Sequence, residues 1–217
     1  MITLNTLKPR LLQTLQDTSG KRYDDGTLDE AVRQGLDLIN RRLPNIVTRD
    51  FTVAASGRSQ PLTGLENCLY LVSLCVNPAK NSPELEPENG FSYRFEDGSP
   101  ILRFTGTSFP RSGDVLRVTC AVPHTLAGLD EATETTLPSV CVNALVDGAA
   151  AQACQQRAAN LSEAYGARTV EVSHLLDLNQ TLMERFEQSL SQFKTLQEFG
   201  FPPGFSLDAD DDQTRRR

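Results

Sequence analysis

The chain has 217 residues, 39% of them hydrophobic, and a formal net charge of −7. This composition allows a packed core. The excess of acidic residues argues against a protein that binds nucleic acid tightly, because such affinity depends on neutralising phosphates with Lys and Arg. No apolar run approaches the roughly 20 residues of a membrane-spanning helix and the N-terminal residues lack the continuous apolar centre of a signal peptide, so we expect a soluble protein with no membrane partner.

The N-terminal residues predict two helices. Leucines at helical spacing indicate a short helix over residues 3–17, which Pro9 should interrupt unless it lies in the first turn. A second helix is expected over residues 27–42, because Thr27 is a candidate N-cap and Glu30 follows three residues later, which is a capping box. An apolar stripe follows the second helix at Leu28, Ala31, Val32, Leu36 and Ile39.

Residues 46–122 change to runs of β-branched and aromatic residues separated by turn signals, the pattern of an antiparallel β block. The stretch FSYRFEDGSPILRF has Asp97-Gly98 between two short runs and predicts a hairpin. The stretch CLYLVSLCV is almost continuously apolar and predicts a central strand. The stretch NPAKNSPELEPENG, rich in prolines and acids, predicts an exposed loop.

The second half of the chain returns to helices. After an irregular connection, Pro138 should begin a helix that extends to about residue 164 and is rich in small residues. These small side chains suit either packing inside the subunit or a contact between subunits. A long helix with one apolar stripe is expected over residues 169–197. The final stretch GFPPGFSLDADDDQTRRR has too few apolar residues for its own core and predicts a tail that stays disordered or binds in a partner's groove.

These elements predict an α+β fold, in which helical segments flank an inserted antiparallel β block, sandwich- or barrel-like, with an extended C-terminal arm. The N-terminal helices over residues 1–45 would form part of the helical domain, and residues 46–125 would form the β-rich domain. Two long helices over residues 126–198 would complete the helical domain, and residues 199–217 would form a flexible arm.

Residues that could perform chemistry are few. The histidines, His124 and His174, lack a His, Cys or carboxylate at metal-ligand spacing, and the sequence contains no GxSxG, P-loop, GxGxxG or HExxH motif. The acidic run from Asp208 to Asp212 lacks the Gly turn and distal Glu of a calcium loop. Five cysteines form an odd set without a CxxC pair, which favours buried free thiols. We therefore predict that the protein is not an enzyme and has no catalytic residue, metal or cofactor.

Two stretches carry a family pattern. In DDGTLDEAVRQGLDLINRRLP an acidic turn precedes a helix of the form D/E-E-A-hydrophobic-R and a proline. In LRVTCAVPHTLAGLDEATETTLPSVCVNALVDGAAAQAC a strand ends in a Pro-His loop, followed by Gly-Leu-Asp, Thr-Thr-Leu-Pro and an alanine-rich helix. Both stretches resemble the head–tail connector (adaptor, or neck) proteins of tailed bacteriophages and prophages. They cover roughly a third of the chain, and the remainder resembles these proteins only in the order of its helices and strands.

The resemblance implies a structural virion protein that forms a homo-oligomeric ring, commonly a dodecamer, beneath the portal of a filled capsid. The ring would extend the DNA channel and provide the tail docking platform, with the portal and tail or other neck proteins as partners. Genomic DNA would pass through without specific binding. The protein would reside in the virion neck after assembly in the host cytoplasm. By analogy of position with adaptors whose C-terminal arm reaches the portal, the portal-binding anchors would be Phe199, Phe201, Phe205 and Leu207.

Three other roles stay open. The chain could be another neck or tail ring component, such as a tail terminator or head-completion protein, although these are usually richer in strands. It could be a capsid-decorating or tail-fibre attachment protein, for which trimers are expected. It could also be an enzyme or small-ligand-binding domain that uses the β block as its pocket, in which case polar groups should converge there.

Overall fold

The computed structural model describes residues 2–77, 84–85, 90–96, 99–105, 109–163 and 169–199, and the backbone alone at 84–85, 96, 99 and 194–199. The chain forms two compact units, a helical unit of Met1–Leu43 with Thr125–Arg217 and a β unit of Pro44–His124. Each unit has its own hydrophobic core. The predicted α+β fold, with an antiparallel β block inserted between helical segments, is therefore confirmed. Of the predicted arm, residues 200–217 lie outside the described part of the chain.

Helix α1 (Leu4–Thr14) continues through Pro9, so the expectation that this proline interrupts the helix outside the first turn was wrong. Thr3 is the N-cap, and its side chain and that of Thr6 form a capping box. A proline inside a helix removes a backbone hydrogen bond. Tertiary packing offsets that loss, because α1 buries one face in the core at Leu4, Leu7 and Leu11.

Helix α2 (Asp25–Arg42) starts before Thr27, which is therefore not its N-cap as predicted. Asp24 is the N-cap instead, and its Oδ1 accepts a hydrogen bond from the backbone N–H of Thr27 at 2.7 Å. This bond lowers the pKa of the Asp24 carboxyl. The predicted stripe is confirmed, since all five of its members are buried: Leu28, Ala31, Val32, Leu36 and Ile39.

Two long helices complete the helical unit. After Pro138, a 3₁₀ turn at Ser139–Cys141 leads into α3 (Val142–Glu163), and α4 (Thr169–Phe199) follows. Both helices agree with the predicted positions. Helix α3 lies at the centre of the core, with α2 and α4 packed on it.

Small residues let these helices approach closely. A Cβ atom at Gly35 in α2 would lie 2.9 Å from the backbone nitrogen of Ala149 in α3. A Cβ at Gly148 in α3 would lie 2.9 Å from Cδ2 of Phe186 in α4. Both distances are shorter than carbon atoms tolerate without a shift. The small residues of α3 are therefore used for packing inside the subunit, the first of the two alternatives that the sequence allowed.

The contact between α2 and α3 makes a paired test possible. Gly35→Ala should lower the free energy of unfolding by about 1–3 kcal/mol, because the new methyl group meets helix backbone that cannot move independently. Gly26→Ala, in the exposed first turn of the same helix, should be neutral or stabilising by up to about 1 kcal/mol. Urea denaturation followed by circular dichroism measures both changes. Equal effects at the two sites would show that α2 and α3 are further apart than described.

The described residues of the β unit form the strands β1 (Asn45–Thr52), β2 (Ser59–Pro61), β3 (Tyr70–Val76), β4 (Glu84–Leu85), β5 (Phe91–Glu96), β6 (Ser99–Phe104) and β7 (Val115–Val122). These strands make two antiparallel sheets. The four-stranded sheet has the order β1-β7-β3-β4 and the three-stranded sheet the order β2-β6-β5.

Both strand predictions hold. Strands β5 and β6 form the expected hairpin, paired from Phe91 with Phe104 to Glu96 with Ser99. Strand β3 lies in the sheet interior, between β7 and β4. Side chains from both sheets share one core, as in a sandwich, including Leu71, Leu74, Val118, Phe91, Leu102 and Phe104. The stretch over residues 77–90, predicted as a loop, contains the short strand β4, which pairs with β3, so the prediction was wrong at Glu84–Leu85. Most of its other residues lie outside the described part of the chain.

Candidate interaction surfaces

Within the described part of the chain, no three His, Cys, Asp or Glu side chains are grouped so that they could hold a metal ion. His124 is buried in the β unit, whereas His174 is exposed on α4. The described residues offer three other kinds of surface feature: an ion-pair cluster, a groove and exposed apolar side chains.

The five cysteines are buried free thiols, as predicted. Burial raises the pKa of Cys141 to about 11. Burial, together with the neighbouring Cys68, raises the pKa of Cys120 to about 11 as well. Because the thiolate is the reactive form of cysteine, both burial and the raised pKa make these thiols slow to react.

The state of the thiols gives a direct test of the core. The folded protein at pH 8 should show no rapid reaction with a thiol reagent, because all five thiols are buried. At Cys120 and Cys141 the pKa near 11 also leaves only about a thousandth of each thiol ionised at that pH. All five cysteines should react after denaturation. A Ser173→Cys variant, with its thiol on the exposed side of α4, is the positive control. Rapid labelling of a native cysteine would contradict the described packing.

The first site of interest is an ion-pair cluster between α2 and the connection that precedes α3. Arg33 donates through Nε and Nη2 to Asp130 at 3.0 and 2.6 Å, and it also pairs with Glu30. The bond to Arg33 lowers the pKa of Asp130. Asp130 and Glu131 have left-handed φ angles of 48° and 62°, a conformation that ordinary residues seldom adopt. The guanidinium of Arg33 therefore holds a strained turn against α2.

Threonines fix the other side of this connection. The hydroxyl of Thr135 donates to the carbonyl of Ile2 at 2.6 Å and accepts from the backbone N–H of Ala127 at 2.9 Å. The side chain of Thr136 accepts from the backbone N–H of Thr125 at 2.8 Å. These bonds join the connection to the start of the chain and give it one defined conformation.

The second site is a groove of about 480 Å³ lined by residues of α1, α3 and α4, which we call the polar groove. Its lining is almost entirely able to form hydrogen bonds, and Val146 is the exception. Nη2 of Arg10 donates to Oδ1 of Asn143 at 2.7 Å. The lining consists of Arg10, Gln13, Thr14, Asn143, Val146, Asp147, Arg185, Gln188 and Ser189.

Asp147 is the unusual member of the polar groove. Its carboxylate is only 8% exposed, and its ion-pair partner is Arg185, whose Nη2 lies 3.3 Å from Oδ1. Burial raises the pKa of Asp147, and the charge of Arg185 opposes that shift. Neither Asp147 nor Arg185 was a candidate site residue from the sequence. The available signal was an aspartate inside a helix otherwise built from small and apolar residues.

The third surface is apolar and lies on the four-stranded sheet. Ile46 in β1 and Tyr70 in β3 both pair with Ala121 in β7, and each is 50% exposed. Side chains alternate along a strand, and Val47 packs on the core, so Ile46 and Tyr70 share the opposite face. We call this exposed apolar pair, Ile46 and Tyr70, the sheet patch.

The portal-binding anchors predicted from the sequence stay a prediction. Phe199 is the last residue of α4, and its side chain is outside the description. Phe201, Phe205 and Leu207 lie outside the described residues altogether. None of the described helices combines the length and the hydrophobicity that crossing a bilayer requires.

No protein-family model matches the sequence, and no curated protein matches it. Among solved structures, the chain is similar to a chain in the neck of an empty GTA particle computed with C6 symmetry. The identity is 17%, the match covers 78% of this chain and 86% of that chain, and the TM-score is 0.29.

Proposed function

We propose that this protein is a head-to-tail adaptor, a structural virion protein that forms a ring beneath the portal. The ring extends the DNA channel and provides the platform on which the tail docks. The protein acts in the virion neck through contacts with copies of itself, with the portal and with tail or other neck proteins. It contributes no catalytic residue.

One observation carries the proposal: the two stretches that resemble adaptor proteins contact each other through their pattern residues. Arg33 ends the D/E-E-A-hydrophobic-R pattern, and it binds Asp130 of the Gly-Leu-Asp turn. Gly35 of the first stretch packs on Ala149 in the alanine-rich helix of the second. Residues that are far apart in sequence thus form one structural unit, as expected if the two stretches belong to one family pattern.

The surfaces of the protein are consistent with assembly into a ring. A ring subunit needs two complementary lateral surfaces. The sheet patch offers apolar area on the β unit, and Val170 and Leu176, 82% and 50% exposed, offer apolar area on α4. The net charge of −7 suits a channel wall, because DNA must slide past such a wall without binding to it.

The experiment that tests this function is native mass spectrometry and negative-stain imaging of the full chain, alone and mixed with DNA-filled, portal-bearing capsids. An adaptor should appear as a ring at the portal vertex, and capsids without portal should not recruit it. A protein that stays monomeric and ignores capsids contradicts the proposal. Binding to the end of an isolated tail tube, without binding to capsids, would instead identify a tail terminator.

A further inference from the structure

The polar groove is positively charged although the chain as a whole is acidic. Its lining contains two guanidinium groups, Arg10 and Arg185, and one carboxylate, Asp147, whereas the whole chain carries a net charge of −7. The local field therefore favours an anionic ligand over a cationic one.

The two guanidinium groups have unused capacity. Arg10 donates to Asn143, and Arg185 lies beside Asp147; these are the partners that the described part of the chain provides for them. Each guanidinium has five N–H donors in a planar fork that matches a carboxylate. Within the residues that the structure describes, most of these donors have no partner. Asp147 acts here as a positioning residue, because its buried carboxylate holds Arg185 over the groove.

A cluster of negative charges stands near the end of the same sequence, ahead of the terminal Arg215, Arg216 and Arg217. It consists of Asp208, Asp210, Asp211 and Asp212, which we call the acidic run. Helix α4 ends at Phe199, and the nine residues from there to Asp208 can span up to about 30 Å. Gln188 in the groove precedes the end of α4 by eleven residues, about 16 Å along the helix. The acidic run can therefore reach the groove of its own chain.

We propose that the polar groove binds the acidic run of the same chain, with its carboxylates held by Arg10 and Arg185. Binding within one chain is favoured over binding between copies, because a short connection gives an effective concentration in the millimolar range. In the free protein this contact holds the C-terminal segment against the helical unit. The inference concerns the isolated chain and does not depend on the adaptor role.

The test is millisecond hydrogen–deuterium exchange of the full chain, without portal, followed in the peptide covering residues 206–214. Exchange in the wild type should be at least about threefold slower than in the R10Q/R185Q variant. The R41Q/R111Q variant removes two exposed arginines elsewhere and should match the wild type. Sodium chloride at 0.5 M should reduce the protection, because salt weakens ion pairs between exposed groups.

A second variant distinguishes loss of binding from misfolding of the groove. D208N/D210N/D211N/D212N changes no described residue and should also lose the protection of residues 206–214 relative to intrinsic exchange rates. Identical exchange in the wild type and the groove variant would overturn the proposal. Protection that rises with protein concentration would overturn it too, and would assign the acidic run to the groove of a second copy. Because no capsid or portal is present, failure here is distinct from failure of the adaptor role.

Discussion

Phe186→Ala is expected to lower the free energy of unfolding by about 3–5 kcal/mol, the range for removing a fully buried aromatic side chain. The ring of Phe186 is 1% exposed and packs against the α3 backbone at Gly148. The wall of the resulting cavity is helix backbone, which relaxes less than side chains do. Urea denaturation of the full chain, followed by circular dichroism, measures the loss. Val170→Ala, at an 82% exposed position of the same helix, should change stability by less than about 0.5 kcal/mol.

A double-mutant cycle isolates the contact between α3 and α4. Gly148→Ala alone should cost about 1–3 kcal/mol, because the new methyl group meets the ring of Phe186. In the Phe186→Ala background the same change should be neutral or stabilising by up to about 1 kcal/mol, since the obstacle is gone and alanine favours the helix. Additive effects of the two substitutions would contradict the described contact.

Sequence patterns correctly predicted those structural features that a single short segment determines. The stripe of α2 is visible in the sequence, because apolar residues at helical spacing must be buried on one face. The hairpin of β5 and β6 follows from a turn signal between two short runs. The N-cap of α2 was misjudged because Asp24 and Thr27 are both good caps, and only the fold shows that the Thr27 N–H is donated to Asp24.

Contacts between segments that lie far apart in the sequence could not be predicted from such patterns. Helix α1 continues through Pro9 because one of its faces packs in a core formed with other helices. The sequence of α1 alone does not show that core. The use of the small residues in α3 depends on Gly35 and Phe186, which belong to other helices. The polar groove combines Arg10, Asp147 and Arg185 from three separate helices. An aspartate among small residues signals an unusual environment, but its arginine neighbours become visible only when the helices are assembled.

Deletion of residues 199–217 is expected to abolish docking to the portal vertex and to leave the fold intact. The deletion removes no side chain of the described core, whose last fully buried member is Leu190. It removes all four predicted anchors, Phe199, Phe201, Phe205 and Leu207. A pull-down with portal measures docking, and the urea transition of the truncated protein, which should match that of the full chain, measures folding. Full docking by the truncated protein would contradict the anchor role.

Two substituted chains separate the apolar anchors from the charges that follow them. F199S/F201S/F205S/L207S keeps the length and charge of the C-terminal segment and should dock as poorly as the truncated protein, because the energy of such anchors comes from burying apolar area. D208N/D210N/D211N/D212N keeps the anchors and should dock at least as well as the wild type. If the polar groove holds the acidic run in the free chain, the portal must displace that contact, so removing the charges lowers the cost of docking.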